Sequence, residues 1–168
     1  MMMRQITFQQ EPVTLSGTEI HVGDTAPNFT VLSNDLKEIT LKDYEGKVKL
    51  LSVVPSIDTG VCSKQTKRFN EEAQSLGEVD VLTISMDLPF AQARWTNEHH
   101  IKDVVTLSDH RFADFGKKYG VLIEELRLLC RAIFVIDAND DVTYAEYVNE
   151  VTNHPNYDKV LEHLQQLV

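Results

Sequence analysis

The sequence predicts an α/β protein built on a central mixed β-sheet with helices on both faces and a β-hairpin at its N-terminus. Three observations carry that expectation. Apolar runs at 48–54 and 79–86 flank an amphipathic stretch of helical period, the pattern of parallel strands joined by a crossover helix. The polar turn Asp137-Ala138-Asn139-Asp140-Asp141 joins the apolar run 131–136 to 142–148, which reads as an antiparallel hairpin. A terminal helix starts near Pro155 and carries Tyr157, Val160, Leu161, Leu164 and Val168 as its apolar stripe. With 168 residues, 42% of them apolar, residues 1–168 read as a single domain around one core.

The elements follow in chain order. Residues 3–22 hold the β-favouring pieces Ile6-Thr7-Phe8, Val13-Thr14-Leu15 and Glu19-Ile20-His21-Val22, which read as a hairpin decorating the main sheet. Gly23-Asp24-Thr25-Ala26-Pro27 breaks that pattern before Phe29-Thr30-Val31-Leu32, and Ile39-Thr40-Leu41 leads through Tyr44-Glu45-Gly46 to the first core strand at 48–54. Val61, Gln65, Phe69, Ala73 and Leu76 then recur at helical spacing, and Gly77 ends the helix. After the second strand, Asp87 reads as a cap and Pro89 as the first-turn proline of a helix running to about His99. Val104 to Leu107 is a shorter strand, and Arg111 to Tyr119 a short helix closed by Gly120. Functional sites in such sheets lie beyond the carboxyl ends of the parallel strands. The segment after Val54 falls there.

Composition narrows the function. Lys and Arg number 16 against 26 Asp and Glu, a net charge of -10 that repels nucleic acid and anionic membrane. No stretch has the length of a signal-peptide core or a membrane span, so the expectation is a soluble, cytoplasmic protein without nucleic-acid or membrane partners. Two cysteines make no disulfide scaffold, and without a Cys-x-x-Cys pair no structural zinc, metal or other cofactor is expected.

One of those cysteines stands out. The turn Val54-Pro55-Ser56-Ile57-Asp58-Thr59-Gly60-Val61-Cys62 puts Cys62 in the first turn of a helix, where unpaired peptide N–H groups and the helix dipole favour a thiolate. Cys62 is the candidate nucleophile, against the plainer reading of a small buried core residue. The run Cys62 to Arg68 also satisfies Cys-x5-Arg, the spacing of oxyanion-cradling phosphatase loops. It lacks the internal glycine such loops use and has helical periodicity instead. His99 and His100 diverge by ~100° on a helix and read as solvent-facing rather than as metal ligands.

The motif Pro55-Ser56-Ile57-Asp58-Thr59-Gly60-Val61-Cys62 resembles the active-site motif of the bacterial thiol peroxidases, a branch of the peroxiredoxins. Ser85-Met86-Asp87-Leu88-Pro89-Phe90-Ala91-Gln92, Leu107-Ser108-Asp109 and Arg131-Ala132-Ile133-Phe134-Val135-Ile136-Asp137 resemble the same branch in the same order. The resemblance implies a thioredoxin-like fold, a homodimer, hydroperoxide substrates, and thioredoxin or a low-molecular-weight thiol as reductant. It makes Cys62 the peroxidatic cysteine. It also implies that the Thr59 hydroxyl and Arg131 guanidinium point at the sulfur and that Pro55 shields it from water. Leu88, Phe90 and Trp95 follow the family motif and either line an apolar approach or serve the core. The residue types suit the chemistry: a thiol with a pKa of ~8.5 is only ~3% ionised at neutral pH, so a cation and a helix start both help. Donors along the attack axis also stabilise the oxygen that departs.

At one position the chain leaves the family pattern. Most members carry a resolving cysteine directly after an aromatic residue on the helix following Asp-Leu-Pro-Phe-Ala; here Trp95 is followed by Thr96. The second cysteine, Cys130, adjoins Arg131. Neighbours in a strand face opposite ways, so an Arg131 aimed at Cys62 turns Cys130 away. The expectation is a one-cysteine cycle in which an external thiol reduces a Cys62 sulfenic acid. A Cys62 to Cys130 disulfide is the competing route, and a peroxide sensor or redox relay with poor turnover the competing function.

Overall fold

The computed structural model describes residues 4–168. The chain opens with β1 (Arg4–Phe8) and β2 (Glu11–Ser16), followed by β3 (Thr30–Leu32), β4 (Glu38–Thr40) and a 3-10 turn, Leu41–Tyr44. Next come β5 (Val48–Val53), α1 (Gly60–Leu76), β6 (Val79–Ser85), α2 (Pro89–Glu98), β7 (Val104–Ser108) and α3 (Asp114–Lys118). It finishes with β8 (Leu122–Ile123), β9 (Leu128–Leu129), β10 (Ala132–Ile136), β11 (Val142–Tyr147) and α4 (Tyr157–Leu167).

Seven strands form the main sheet in the order β11-β10-β5-β6-β7-β3-β4. The β5–β6 and β6–β7 pairs are parallel, as the apolar runs on either side of α1 predict, and the pairs beyond them are antiparallel. The sheet is buried on both faces. On one, Leu50, Ile133 and Val135 pack against Phe69, Ala73 and Leu76 of α1 and Val160, Leu161 and Leu164 of α4. On the other, Leu51, Val53, Phe134 and Ile136 pack against Phe115 of α3, Phe29 and the N-terminal hairpin. This alternation follows from the two-residue side-chain period of a strand.

Three expectations need correction. The N-terminal hairpin does not decorate the main sheet: β2 pairs with β8 and β8 with β9, giving a second sheet in the order β1-β2-β8-β9. The piece Glu19 to Val22 forms no strand, because the Ile20 N–H donates to the Tyr147 hydroxyl (2.8 Å) instead of to a ladder. The short helix starts at Asp114 rather than Arg111. Ala113 is left-handed (φ 51°), and the Asp109 carboxylate accepts from the N–H groups of Phe115 (3.0 Å) and Gly116 (2.8 Å).

One buried cation lies at the opposite end of the parallel strands from the Cys62 turn. Lys49 on β5 is 0% exposed, and its Nζ lies 2.6 Å from Asp140 Oδ1 and 3.4 Å from the Tyr44 carbonyl. Asp140→Asn keeps a side chain suited to the left-handed φ of 64° at that position but strips the ammonium of its counter-charge. We expect urea unfolding to show a loss of about 3 kcal/mol for that variant. Lys49→Met leaves a partly exposed carboxylate in contact with water and should cost under about 1 kcal/mol.

Candidate active site

The site forms where β5 gives way to α1. The chain leaves the sheet after Val53, with the Val54 N–H still donating to the Ile84 carbonyl (3.1 Å), and turns through Pro55 to Thr59. Thr59 is extended (φ -80°, ψ 152°) and caps α1, its Oγ1 accepting from the Cys62 N–H at 3.3 Å. Cys62 is thus the third residue of the helix, within the turn whose peptide N–H groups lack helical acceptors. Its side chain is fully buried.

Arg131 reaches the sulfur from β10. It sits one residue before that strand, on the same face as Ile133 and Val135, and is 2% exposed. Its Nη2 lies 3.3 Å from Cys62 Sγ, its Nη1 donates to Gln65 Oε1 (2.9 Å) and its Nε to the Val151 carbonyl (2.8 Å). Gln65 lies one turn beyond Cys62, and its Nε2 donates to Ser52 Oγ on β5 at 2.7 Å. Three segments, α1, β5 and the stretch after β11, therefore fix one guanidinium.

A cavity of about 240 Å³ opens over this group, lined by Pro55, Thr59, Val61 and Arg131. Its other wall is Phe8 and Gln9 from the β1–β2 turn, with Val151 and Thr152. Glu150 holds that wall together. Its carboxylate accepts from the Thr152 hydroxyl (2.6 Å) and N–H (2.8 Å), the Gln10 N–H (2.7 Å) and the Thr7 hydroxyl (2.9 Å). These bonds, the Thr152 hydroxyl foremost, hold the Glu150 carboxyl down at about 2.

The structure brings Cys62, Thr59, Arg131 and Pro55 together, with one change. The Thr59 oxygen bonds the Ser56 carbonyl (3.4 Å) and the Cys62 N–H rather than the sulfur, because it serves as the helix cap. The apolar trio does not reach the cavity. Leu88 and Phe90 are 52% and 68% exposed at the start of α2, and Trp95 is buried with its ring 4.5 Å from that of His99. That tilted ring contact also leaves His99 half-buried rather than solvent-facing. Thr96 turns its hydroxyl back onto the Gln92 and Ala93 carbonyls of its own helix. Cys130 lies in the core on the opposite sheet face from Arg131, with Ala132 and Phe134, and burial pushes its thiol up to about 12.

Asp87 does not cap α2. Leu88 holds the cap position without a side-chain bond, and the Asp87 carboxylate reaches back to Ser56 and Ile57. Gln65, Ser52, Glu150 and Val151 are further members of the site that the motifs do not mark. Only Gln65 leaves a sequence signal: a polar residue in an apolar helical stripe needs a buried partner.

The chain is similar to known proteins over nearly its whole length. The Redoxin family profile matches residues 21–161. The thiol peroxidase of Oceanobacillus iheyensis is 65% identical over 98% of this chain and 100% of its own. That of Bacillus subtilis is 61% identical over 99% of both. Among solved structures, a peroxiredoxin-like protein from Aquifex aeolicus superposes with a TM-score of 0.92 at 42% identity, covering 99% of each chain.

The two thiols should differ sharply in reactivity. Burial pushes the Cys130 thiol up to about 12, which leaves little thiolate there near neutrality. Iodoacetamide at pH 8 is expected to label Cys62 in the native protein and Cys130 only after denaturation, as read by peptide mass spectrometry. Equal native labelling of both would contradict the burial of Cys130.

Proposed function

Since the chain belongs to the thiol peroxidases of the peroxiredoxin family, we propose that it reduces hydrogen peroxide and organic hydroperoxides through a Cys62 sulfenic acid, which an external thiol then reduces. The observation that carries this reading is the 3.3 Å approach of Arg131 Nη2 to a sulfur in the first turn of α1. The cation and the helix start both favour negative charge at that atom.

In the first half-reaction the Cys62 sulfur attacks the terminal peroxide oxygen, the S–O bond forms as the O–O bond breaks, and the departing oxygen leaves as water or an alcohol after taking a proton. Cys62 is oxidised by two electrons and the peroxide is reduced. Arg131 lines the cavity and stabilises charge on both sulfur and departing oxygen. Thr59 faces the same cavity, and its 3.4 Å bond to the Ser56 carbonyl is long enough to exchange for one to a peroxide oxygen. Pro55, Phe8 and Val151 supply apolar wall, which suits an organic substituent as well as hydrogen peroxide.

In the second half-reaction a thiol attacks the sulfenic sulfur and releases water, forming a mixed disulfide. A second thiol then frees Cys62 and leaves as the reductant's own disulfide. Thr96 in α2 and the burial of Cys130 on the far sheet face support thioredoxin or a low-molecular-weight thiol as the source. The proposal also takes the protein as a cytoplasmic homodimer. Two free cysteines suit a reducing compartment, and no helix among the described residues is long and apolar enough to cross a membrane. Exposed Leu88 and Phe90 offer apolar surface for a second copy.

A peroxide-consumption assay tests the reading, with hydrogen peroxide and an alkyl hydroperoxide, each supplied with thioredoxin or with a small thiol. We expect turnover that Cys62→Ser abolishes and that Arg131→Met lowers about 10²- to 10³-fold in kcat/KM for peroxide. No turnover with any reductant, alongside a peroxide-reactive Cys62, would favour the sensor or relay function that the absence of a cysteine at Thr96 also permits. Mass spectrometry after one equivalent of peroxide should find a sulfenic acid on Cys62; a Cys62 to Cys130 bridged peptide would sink the one-cysteine cycle.

A further inference from the structure

We propose that the cleft formed by Lys64, Lys67, Arg68, His154 and Tyr157 binds the carboxylate groups of a small anionic thiol, which reduces oxidised Cys62. The inference rests on the peroxidase reading above and names the chemical class of its external reductant.

The cleft continues the active-site cavity along the same two walls. Val61 of α1 lines the cavity over Cys62, and Lys64, Lys67, Arg68 and Glu71 line the cleft, which encloses about 310 Å³. These residues lie three, six, seven and ten positions beyond Val61. At that spacing they share its helix face and run from about 4 Å to about 15 Å farther along the axis. The opposite wall passes from Val151 and Thr152 in the cavity to His154 and Tyr157 in the cleft. Tyr157 is braced: its hydroxyl meets His154 Nδ1 at 2.8 Å, its ring lies edge-on to Phe69 at 5.5 Å, and the Arg68 guanidinium sits over it at 5.2 Å.

The chain carries a net charge of -10, yet this cleft is cationic. Arg68 is shared between Glu72 (3.3 Å) and Asp158 (3.8 Å). Lys64 and Lys67 have no ion pair among the described residues, and Glu71 is the one carboxylate in the lining. The positive field reaches across the cleft: burial first, then the charges of Arg131 and Lys64, hold the His154 imidazolium below its ordinary range. Two unpaired ammonium groups in a concave site suit an anion.

Charge separates the two substrates. A hydroperoxide is neutral at its reacting end and fits the apolar wall of Pro55, Phe8 and Val151. A thiol reacts only as the thiolate, and cations beside the site raise both its local concentration and its ionised fraction. The thiolate sulfur attacks the Cys62 sulfenic sulfur, the S–S bond forms as the S–O bond breaks, and hydroxide leaves and takes a proton as water. A second molecule of the same thiol attacks the mixed disulfide, frees Cys62 as its thiolate and departs with the first as their disulfide. A concave site of about 310 Å³ matches a small molecule rather than the surface of a protein reductant.

The test compares mercaptosuccinate, a thiol with two carboxylates, with neutral 2-mercaptoethanol. Rapid-quench mass spectrometry follows reduction of peroxide-oxidised Cys62 in wild type and in the Lys64→Gln/Lys67→Gln double variant, each rate constant being divided by the thiolate concentration. In wild type at low salt, mercaptosuccinate is expected to react about tenfold faster, a ratio that falls to about one in the double variant and shrinks as salt is raised. A wild-type ratio near one, or a ratio that survives both substitutions, overturns the inference, as does reduction by thioredoxin with neither small thiol reacting. A carboxylate-bearing hydroperoxide that gains the same lysine-dependent advantage over tert-butyl hydroperoxide, with none for the thiol, assigns the cleft to the peroxide and overturns it too. If hydrogen peroxide leaves wild-type Cys62 unoxidised, the peroxidase reading itself fails, so the two failures are distinct.

Discussion

The burial of the Arg131 guanidinium is the constraint on which the rest of the structure depends. Taking a cation out of water costs several kcal/mol unless its donors are satisfied. Arg131 meets that requirement with three acceptors on two segments: Gln65 Oε1 and Cys62 Sγ on α1, and the Val151 carbonyl after β11. None can move far without stranding a buried charge. Ser52 on β5 completes the arrangement by holding the other end of Gln65. The same cation that needs an electron-rich sulfur nearby gives that sulfur a reason to carry charge, so stability and chemistry share one contact.

The N-terminal hairpin enters the site through a second carboxylate. The Thr7 N–H donates to the Asn149 carbonyl and the Val151 N–H to that of Thr7, so the hairpin is stitched to the segment whose Val151 carbonyl receives Arg131 Nε. Glu150 closes this junction with four accepted bonds. Its folded value of about 2 lies below the ordinary 4.5, so its stabilising contribution is complete above 4.5 and is lost only as pH falls toward 2. Near neutrality the junction is fully formed. The hairpin and its partners β8 and β9 are thus part of the cavity wall and not an ornament of the main sheet.

Much of this was legible in the sequence, and the exceptions share a cause. Runs such as Val48 to Val54 and Val79 to Met86 read as strands because burial on both faces removes polar residues. The opposed directions of Cys130 and Arg131 followed from strand alternation. What escaped were bonds between residues distant in sequence and short elements without a pattern. Asp87 looks forward to a helix start by every local rule, yet its partners lie 30 and 31 residues behind it. Strands β8 and β9 are two residues each, too short for any period to register. The β1–β2 turn uses Gln9 and Gln10 at φ 52° and 69°, without the Asn or Gly that marks such turns. Thr59 matched the family motif, but its role as helix cap, which sets its hydrogen-bond partners, emerged only with the loop's backbone path.

The same geometry bears on how oxidised Cys62 is rescued. A disulfide needs its two Cα atoms within about 7 Å and their Cβ vectors convergent. Cys130 lies beneath the sheet among Phe134, Tyr119 and Val121, while Cys62 lies above it beside Arg131. To meet Cys62, Cys130 would have to leave a close-packed core and carry the strand that positions Arg131 with it, undoing the site in order to repair it. Opening the loop at Pro55 to Thr59 gives up two hydrogen bonds to one carboxylate, an exposed ion pair and the burial of Ile57, but leaves β10 and Arg131 in place. That difference supports the proposed external thiol over Cys130 as the partner of the oxidised sulfur.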